Sequence, residues 1–288
     1  MTGSSALFLE RGLRETLAGR FELIRARHWN YQEANEAFGL DLKNYIEFGC
    51  YPGSVPLMGD ISRWAAYIRD SIVESVIGRD LLMIHPVENP ALLRQVFGLA
   101  TAMPSATISL QKFVLQLQQV GSIATVQNYL NLLSQAFLVT PVEKNAMNVI
   151  RTKKSSPKII IHDNALIRAF ERPINSTLTS ERLGHYFENI VGARFIEAGW
   201  NVFYWKDRDS EVDFVVHGPA NERWAIEVKT NKIHPSALDG LRKFTKAHPN
   251  YESYLISLVG QTVSGIKSLS AEAILSEQMN PSQPKILA

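Results

Sequence analysis

Asp213, Glu227 and Lys229 are the residues of this 288-residue chain whose types and spacing suit a reaction centre. They lie in two short runs, Glu211-Val212-Asp213-Phe214-Val215-Val216 and Trp224-Ala225-Ile226-Glu227-Val228-Lys229. If the runs pair as a hairpin, Asp213 faces Glu227. Two carboxylates placed directly opposite each other are destabilising unless a positive charge separates them. A divalent metal with oxygen ligands, supported by the Lys229 ammonium, meets that need.

The surrounding pattern predicts the strands and helices that carry these groups. Each run alternates apolar and polar residues with period two, as a half-buried strand does. The connector, His217 to Arg223, carries Gly218, Pro219 and Asn221, which predicts an antiparallel hairpin. With Gly218 and Glu222 flanking the turn, Phe214 lies opposite Ile226 and Val212 opposite Val228, making one apolar face. The other face brings Asp213 across from Glu227, with Lys229 two residues further on. Upstream, Leu183, Phe187, Ile190, Val191 and Phe195 recur at helical spacing between Glu181 and Trp200. Glu188 shares a stripe with Val191 and Phe195, so its carboxylate is held toward the packed side. A strand from Val202 to Trp205 and a turn from Lys206 to Ser210 precede the hairpin. A helix from Ser236 to Ala247 and a strand from Tyr254 to Val259 follow it.

Asp213, then Glu227-Val228-Lys229 on the next strand, with Glu188 on the preceding helix, resembles the catalytic hairpin of the PD-(D/E)XK nuclease-like superfamily. The order helix, three strands, helix, strand is the one that resemblance requires. It implies catalytic roles for Glu188, Asp213, Glu227 and Lys229. Asp213 and Glu227 would ligate Mg2+ (or Mn2+), with the Val228 carbonyl and waters completing an oxygen shell. Lys229 would orient or help deprotonate the attacking water and stabilise charge on the phosphate. Glu188 would be an accessory ligand or orient a metal-bound water. The implied substrate is a phosphodiester, most plausibly DNA. A plainer reading of the same charges is the solvated face of an antiparallel sheet, and the fold alone does not establish cleavage.

The middle of the chain holds a second module. Ser105 to Val120 reads as a helix, Gly121-Ser122 as a turn, Ile123 to Phe137 as a second helix, and Leu138 to Ile150 as a short strand pair. This resembles a winged helix-turn-helix, with Thr125 to Tyr129 where a recognition helix would begin. No Lys or Arg occurs between Lys112 and Lys144, so a packing role is favoured over groove reading. Lys144, Arg151, Lys153, Lys154 and Lys158 follow and could track a nucleic-acid backbone. The alternative is a solvated linker ending at Ser155-Ser156-Pro157.

At the start, Thr2-Gly3-Ser4-Ser5, the run Leu13 to Arg20 and Phe48-Gly49-Cys50-Tyr51-Pro52-Gly53 resemble the second half of a prokaryotic AAA-type (STAND-like) ATPase. In that family an ATPase module precedes helices, a winged helix and a nuclease-like C-terminal domain of unknown function. The resemblance implies that Thr2 to Ser5 end a strand sensing the γ-phosphate and that Arg20 approaches nucleotide phosphates or a neighbouring subunit. No G-x-x-x-x-G-K-[ST] loop is present to cradle phosphates, so ATP hydrolysis is not expected and the chain reads as a truncated member. Ile159-Ile160-Ile161-His162-Asp163 imitates a metal-binding strand end but is read as the first strand of the nuclease-like domain. Without a parent sheet, residues 1 to about 30 are expected to pack poorly. Tyr45 to Pro56 and the helices from Ile61 to Met103, with Trp64, Ile68, Ile72 and Val76 as one stripe, are expected to pack on the winged helix.

The expected fold class is mixed α/β, a helical and winged-helix N-terminal region followed by a PD-(D/E)XK-type domain. The expected division is an ATPase remnant over 1–58, a helical region with winged helix over 59–150, the nuclease-like domain over 151–277 and a tail over 278–288. A formal net charge of +2 gives no global nucleic-acid signature, so any basic site is local. Cys50 is the only cysteine, which excludes a disulfide framework. The seven histidines show no H-x-x-x-H or H-E-x-x-H spacing, so no zinc site is expected. Ser4-Ser5 and Ser155-Ser156 lack a base partner. Trp200, Tyr204 and Trp205 could stack on bases or pack in the core. No membrane span or signal segment is visible, and a cytoplasmic protein with DNA or a protein as partner is expected. The alternative to a nuclease is a catalytically inactive remnant that binds nucleic acid or protein.

Overall fold

A computed structural model describes residues 26–84, 87–118, 121–145, 156–174 and 176–276. The architecture is mixed α/β, with a helical N-terminal region feeding a seven-stranded mixed sheet. The first two helices are fixed by their caps. Asn30 and Glu33 form a reciprocal capping box at the start of α1 (Tyr31–Phe38), and the Asp41 side chain accepts the Asn44 amide at the start of α2 (Leu42–Phe48). Residues 28–30, expected to be loose, are therefore packed: Asn30 is buried and the His28 ring bonds to Glu197 and Tyr51.

Gly49 ends α2 at φ 63°, ψ −160°, a region that is essentially restricted to glycine. A Cβ there would lie 1.6 Å from Oδ1 of Asp163. Gly49→Ala is accordingly expected to cost about 3 kcal/mol in urea unfolding. Gly39→Ala, also at positive φ but with open space around it, should cost about 1 kcal/mol.

Helix α3 (Ile61–Ala66) continues through π-type turns over Tyr67–Val73 and Val76–Leu81 into Leu82–Ile84. The expected stripe holds at Trp64 and Ile68 but then slips. Val73, Ile77 and Leu81 are buried, whereas Ile72 and Val76 are half-buried. The i→i+5 turns add a residue per turn and rotate the later buried positions by one. Arg79 and Asp80 form a pair whose arginine is exposed.

Among the described residues, the helix expected over Ser105 to Val120 is reduced to α5 (Leu110–Leu115), after α4 (Pro90–Thr101). Residues 105–108 instead supply backbone partners to strand β2 (Lys158–Ile161). Ser105 N donates to Ile159 O at 2.8 Å, Ile159 N to Ala106 O at 3.0 Å and Ile108 N to Pro157 O at 3.0 Å. A buried strand edge must satisfy its amides and carbonyls, and that demand overrides helix propensity here. Helix α6 (Ile123–Gln135) forms as expected. Strand β1 (Val139–Lys144) forms where the first strand of the pair was expected, and residues 146–150, where its partner was expected, lie outside the described residues. Strand β1 pairs antiparallel with β2 across the connector and parallel with β3 (Asn201–Asp207) through Glu143 and Lys144. The expected division after residue 150 falls outside the described residues.

After α7 (Asn164–Arg168) and α8 (Ser180–Glu197) come β3, β4 (Ser210–His217), β5 (Arg223–Lys229), α9 (Asp239–Ala247), β6 (Glu252–Ser257), β7 (Lys267–Ser270) and α10 (Ala271–Ser276). The sheet order is β2-β1-β3-β4-β5-β6-β7. One large core joins the N-terminal helices, α8 and one face of the sheet, and a smaller cluster lies under Leu241 and Phe244 of α9. Asn189 of α8 locks that helix to the sheet: it accepts from Ile161 N (2.8 Å) and donates to Ile161 O (2.8 Å) and Asn164 Oδ1 (2.9 Å). Residues 45–50 pack against this region, with Asn164 Nδ2 donating to Ile46 O and Cys50 N to Asp163. Among the described residues, no helix is long and apolar enough to cross a membrane.

Candidate functional site

The hairpin forms with the expected turn, Gly218 N donating to Glu222 O at 2.9 Å. Its ladder runs from His217↔Arg223 to Phe214↔Ile226 and ends there. The continued pairing of Asp213 with Glu227 and Val212 with Val228 is not made. On the other side of β4, Phe203 pairs with Val215 but Trp205 with Val212, so Asp213 and Phe214 both stand against Tyr204. This β-bulge re-aims the side chains that follow. Val212 turns away from the Phe214 face and joins Val215, Ala225, Leu241 and Phe244. Asp213 uses its Oδ2 to accept the Val228 amide at 2.9 Å.

The bulge nevertheless leaves the expected residues together. Lys229 Nζ lies 2.6 Å from Glu227 Oε1 and 3.8 Å from Asp213 Oδ2. Glu188, from α8, pairs with Lys158 Nζ at 2.5 Å. Lys158 Nζ also donates to the Asp213 carbonyl at 3.1 Å, and it is 3.9 Å from Asp213 Oδ1 and from Glu211 Oε1. With a side chain only 2% exposed, Lys158 cannot track a nucleic-acid backbone, contrary to its expected place in the basic linker. The local signal for its burial was its position heading the wholly apolar run Ile159 to Ile161.

Crowded carboxylates in a dry site resist ionisation. Burial first, and then Asp213, push Glu227 up to about 8 against the pull of Lys229. Burial and Asp213 likewise push Glu188 up to about 7 against Lys158. For Lys158 and Lys229 burial works against the charge, but the carboxylates outweigh it and both ammoniums lie above the usual lysine range. Glu227 Oε2 is buried without a hydrogen-bond partner. An oxygen-only donor set with an unsatisfied, reluctantly ionised carboxylate fits a hard divalent cation.

Between about 4.5 and about 8 the folded protein keeps a proton on Glu227 that the unfolded chain has released, so stability falls as pH rises through that window. Without divalent cations, Glu227→Gln is expected to exceed the wild type in stability above about pH 8 by about 1 kcal/mol or more. The gain should shrink near pH 5, as read from urea midpoints.

The other expected residues fare differently. Lys144 is half-buried at the end of β1. Arg151, Lys153 and Lys154, like Thr2 to Ser5 and Leu13 to Arg20, lie outside the described residues. On α6, Val126 and Tyr129 are buried, and the exposed positions, Ile123, Ala124, Gln127, Asn128, Asn131 and Gln135, carry no charge. Trp200 and Tyr204 are core residues, and Trp205 packs on Phe244. One cluster escaped the sequence reading entirely: His28, His162 and Glu197 bring three metal-competent atoms within 4.8 Å of one another. They are too far apart in the chain to form a local motif, so the absence of H-x-x-x-H spacing said nothing about them.

Two family models match the chain. Residues 39–177 match a domain of unknown function, DUF8612, and residues 183–270 match a second domain of unknown function, DUF4143. DUF4143 is found in AAA-ATPase-associated proteins, in keeping with an AAA-related C-terminal part. Residues 178–182 separate the two matches, and this gap spans the start of α8, the helix that carries Glu188. No curated protein and no solved structure matches the chain.

Proposed function

We propose that Glu188, Asp213, Glu227 and Lys229 form a Mg2+- or Mn2+-dependent phosphodiesterase centre of the PD-(D/E)XK type, with DNA as substrate. The observation that carries this reading is the gathering of Asp213, Glu227 and Lys229 where β4 and β5 part, with Glu227 Oε2 left buried and unpartnered. Asp213 and Glu227 would hold the cation, which when bound supplies Lewis-acid charge at the phosphate and acidifies a water. The Val228 amide fixes the Asp213 carboxylate. Lys229 lies within reach of both carboxylates and is placed to hold the attacking water or the phosphate oxygens. Lys158 orients Glu188, the third carboxylate, toward this group. The AAA association of DUF4143 supports the further reading that the chain corresponds to the C-terminal part of a STAND-like ATPase, with no phosphate loop in its sequence.

A second reading is a non-catalytic module that binds nucleic acid or a protein. It is favoured by Lys158 and Lys229, which already offer the carboxylates two ammonium partners. Calorimetric titration of the full chain with Mg2+ and Mn2+ separates the two. Saturable binding that is lost in Asp213→Ala is the outcome expected of the nuclease centre. No binding by the folded wild type would remove it and leave the binding module.

A further inference from the structure

We propose that His28, His162 and Glu197 form a second, chemically distinct metal site that takes one Zn2+-like first-row divalent cation. Each residue brings one ligand atom to within 4.8 Å of the other two, and the atoms that approach Glu197 Oε1 are Nδ1 of each histidine. His28 Nδ1 lies 2.7 Å and His162 Nδ1 3.7 Å from that oxygen. Tetrahedral zinc with bonds of about 2.0–2.1 Å needs neighbouring ligand atoms about 3.3 Å apart, a spacing these two distances bracket.

The surroundings of the rings point the same way. His28 Nε2 is 3.1 Å from the Tyr51 hydroxyl and His162 Nε2 is 2.8 Å from Thr140 Oγ1. Outer partners of this kind hold the proton on the far nitrogen of a metal-binding histidine and leave the near one free to ligate. Both Nδ1 lone pairs then face the same carboxylate oxygen, an arrangement that is repulsive until something positive enters. A proton can settle the 2.7 Å contact. It does not settle His162 Nδ1, which has no hydrogen-bond partner on a side chain 3% exposed. An unsatisfied buried nitrogen is destabilising, and coordination would satisfy it. Arg194 Nη1, 3.3 Å from Glu197 Oε2, keeps the other carboxylate oxygen turned away. A cavity of about 380 Å³ adjoins the donors, lined in part by Ser134, Phe137 and Ile196, and leaves room for a fourth ligand. Imidazole donors favour zinc-like ions over magnesium, so this site and the oxygen-only cluster would select different metals.

The test uses the full chain carrying Asp213→Ala, so that the carboxylate cluster does not contribute, after removal of metal by a chelator. Calorimetry is expected to show one equivalent of Zn2+ bound, and Co2+ to give the intense visible absorption of a tetrahedral centre. Adding His162→Ala should weaken Zn2+ binding by about 100-fold or more, and Thr140→Val, which keeps all three ligands, by about 10–100-fold. Should His162→Ala fail to fold, Thr140→Val decides. The proposal is overturned if the folded protein binds no stoichiometric Zn2+, or if binding is unchanged in the folded variants.

Discussion

Asp213→Ala is expected to lower Mg2+-dependent DNA cleavage by about 1,000-fold or more while the protein stays folded. The size of the effect follows from its position. Asp213 sits at the bulge in β4, next to Glu227 and Lys229, and its carboxylate is fixed by the Val228 amide. Losing it would remove a proposed metal ligand from a partly exposed position, and the apolar cores on either side keep their contacts. Asp213→Asn is the informative companion. It keeps an oxygen for the Val228 amide but loses the charge, so it should fail in cleavage as badly as alanine while matching the wild type in thermal unfolding. Cleavage that survives either change would refute the proposed centre.

The second large effect is on stability. Lys158→Met is expected to cost about 3–5 kcal/mol in urea unfolding, because removing one partner of a buried ion pair strands the other. The side chain is 2% exposed and faces Glu188 and Asp213. Replacing both partners is a different matter, since a neutral pair of similar volume is often tolerated. Lys158→Met with Glu188→Gln should therefore recover much of the loss. If the double variant is no better than Lys158→Met alone, the lysine is needed for packing against Phe214 and not for its charge.

How much of this was legible in the sequence depended on whether the determinants were local. The alternation around Phe214 and Ile226, the glycine-bearing turn and the periodicity from Leu183 to Phe195 each act within a few residues, and the hairpin and α8 formed where they indicated. The mixed α/β class was readable for the same reason. The bulge was not, because it is decided by how β3 lies against β4, and it carried Val212 to the other side of the sheet. Residues 105–108 left a helical pattern to serve the edge of β2, some fifty positions away. Lys158 has the sequence context of a linker charge, and only the tertiary approach of Glu188 and Asp213 buries it. The cluster of His28, His162 and Glu197 is assembled wholly by tertiary folding, and sequence spacing holds no trace of it.

The two π-type stretches that follow Ala66 have a consequence for how this chain tolerates changes of length. In an ordinary helix, deleting one residue turns everything beyond it by about 100° and carries the buried face out to solvent. A π-type turn already holds a surplus residue as a local widening. Shortening the chain by one inside Tyr67–Val73 tightens that widening and leaves the phase on both sides intact, so Trp64 and Ile77 remain on the face they now share. The helix thus works as an expansion joint, where the chain can lose a residue without re-registering the core.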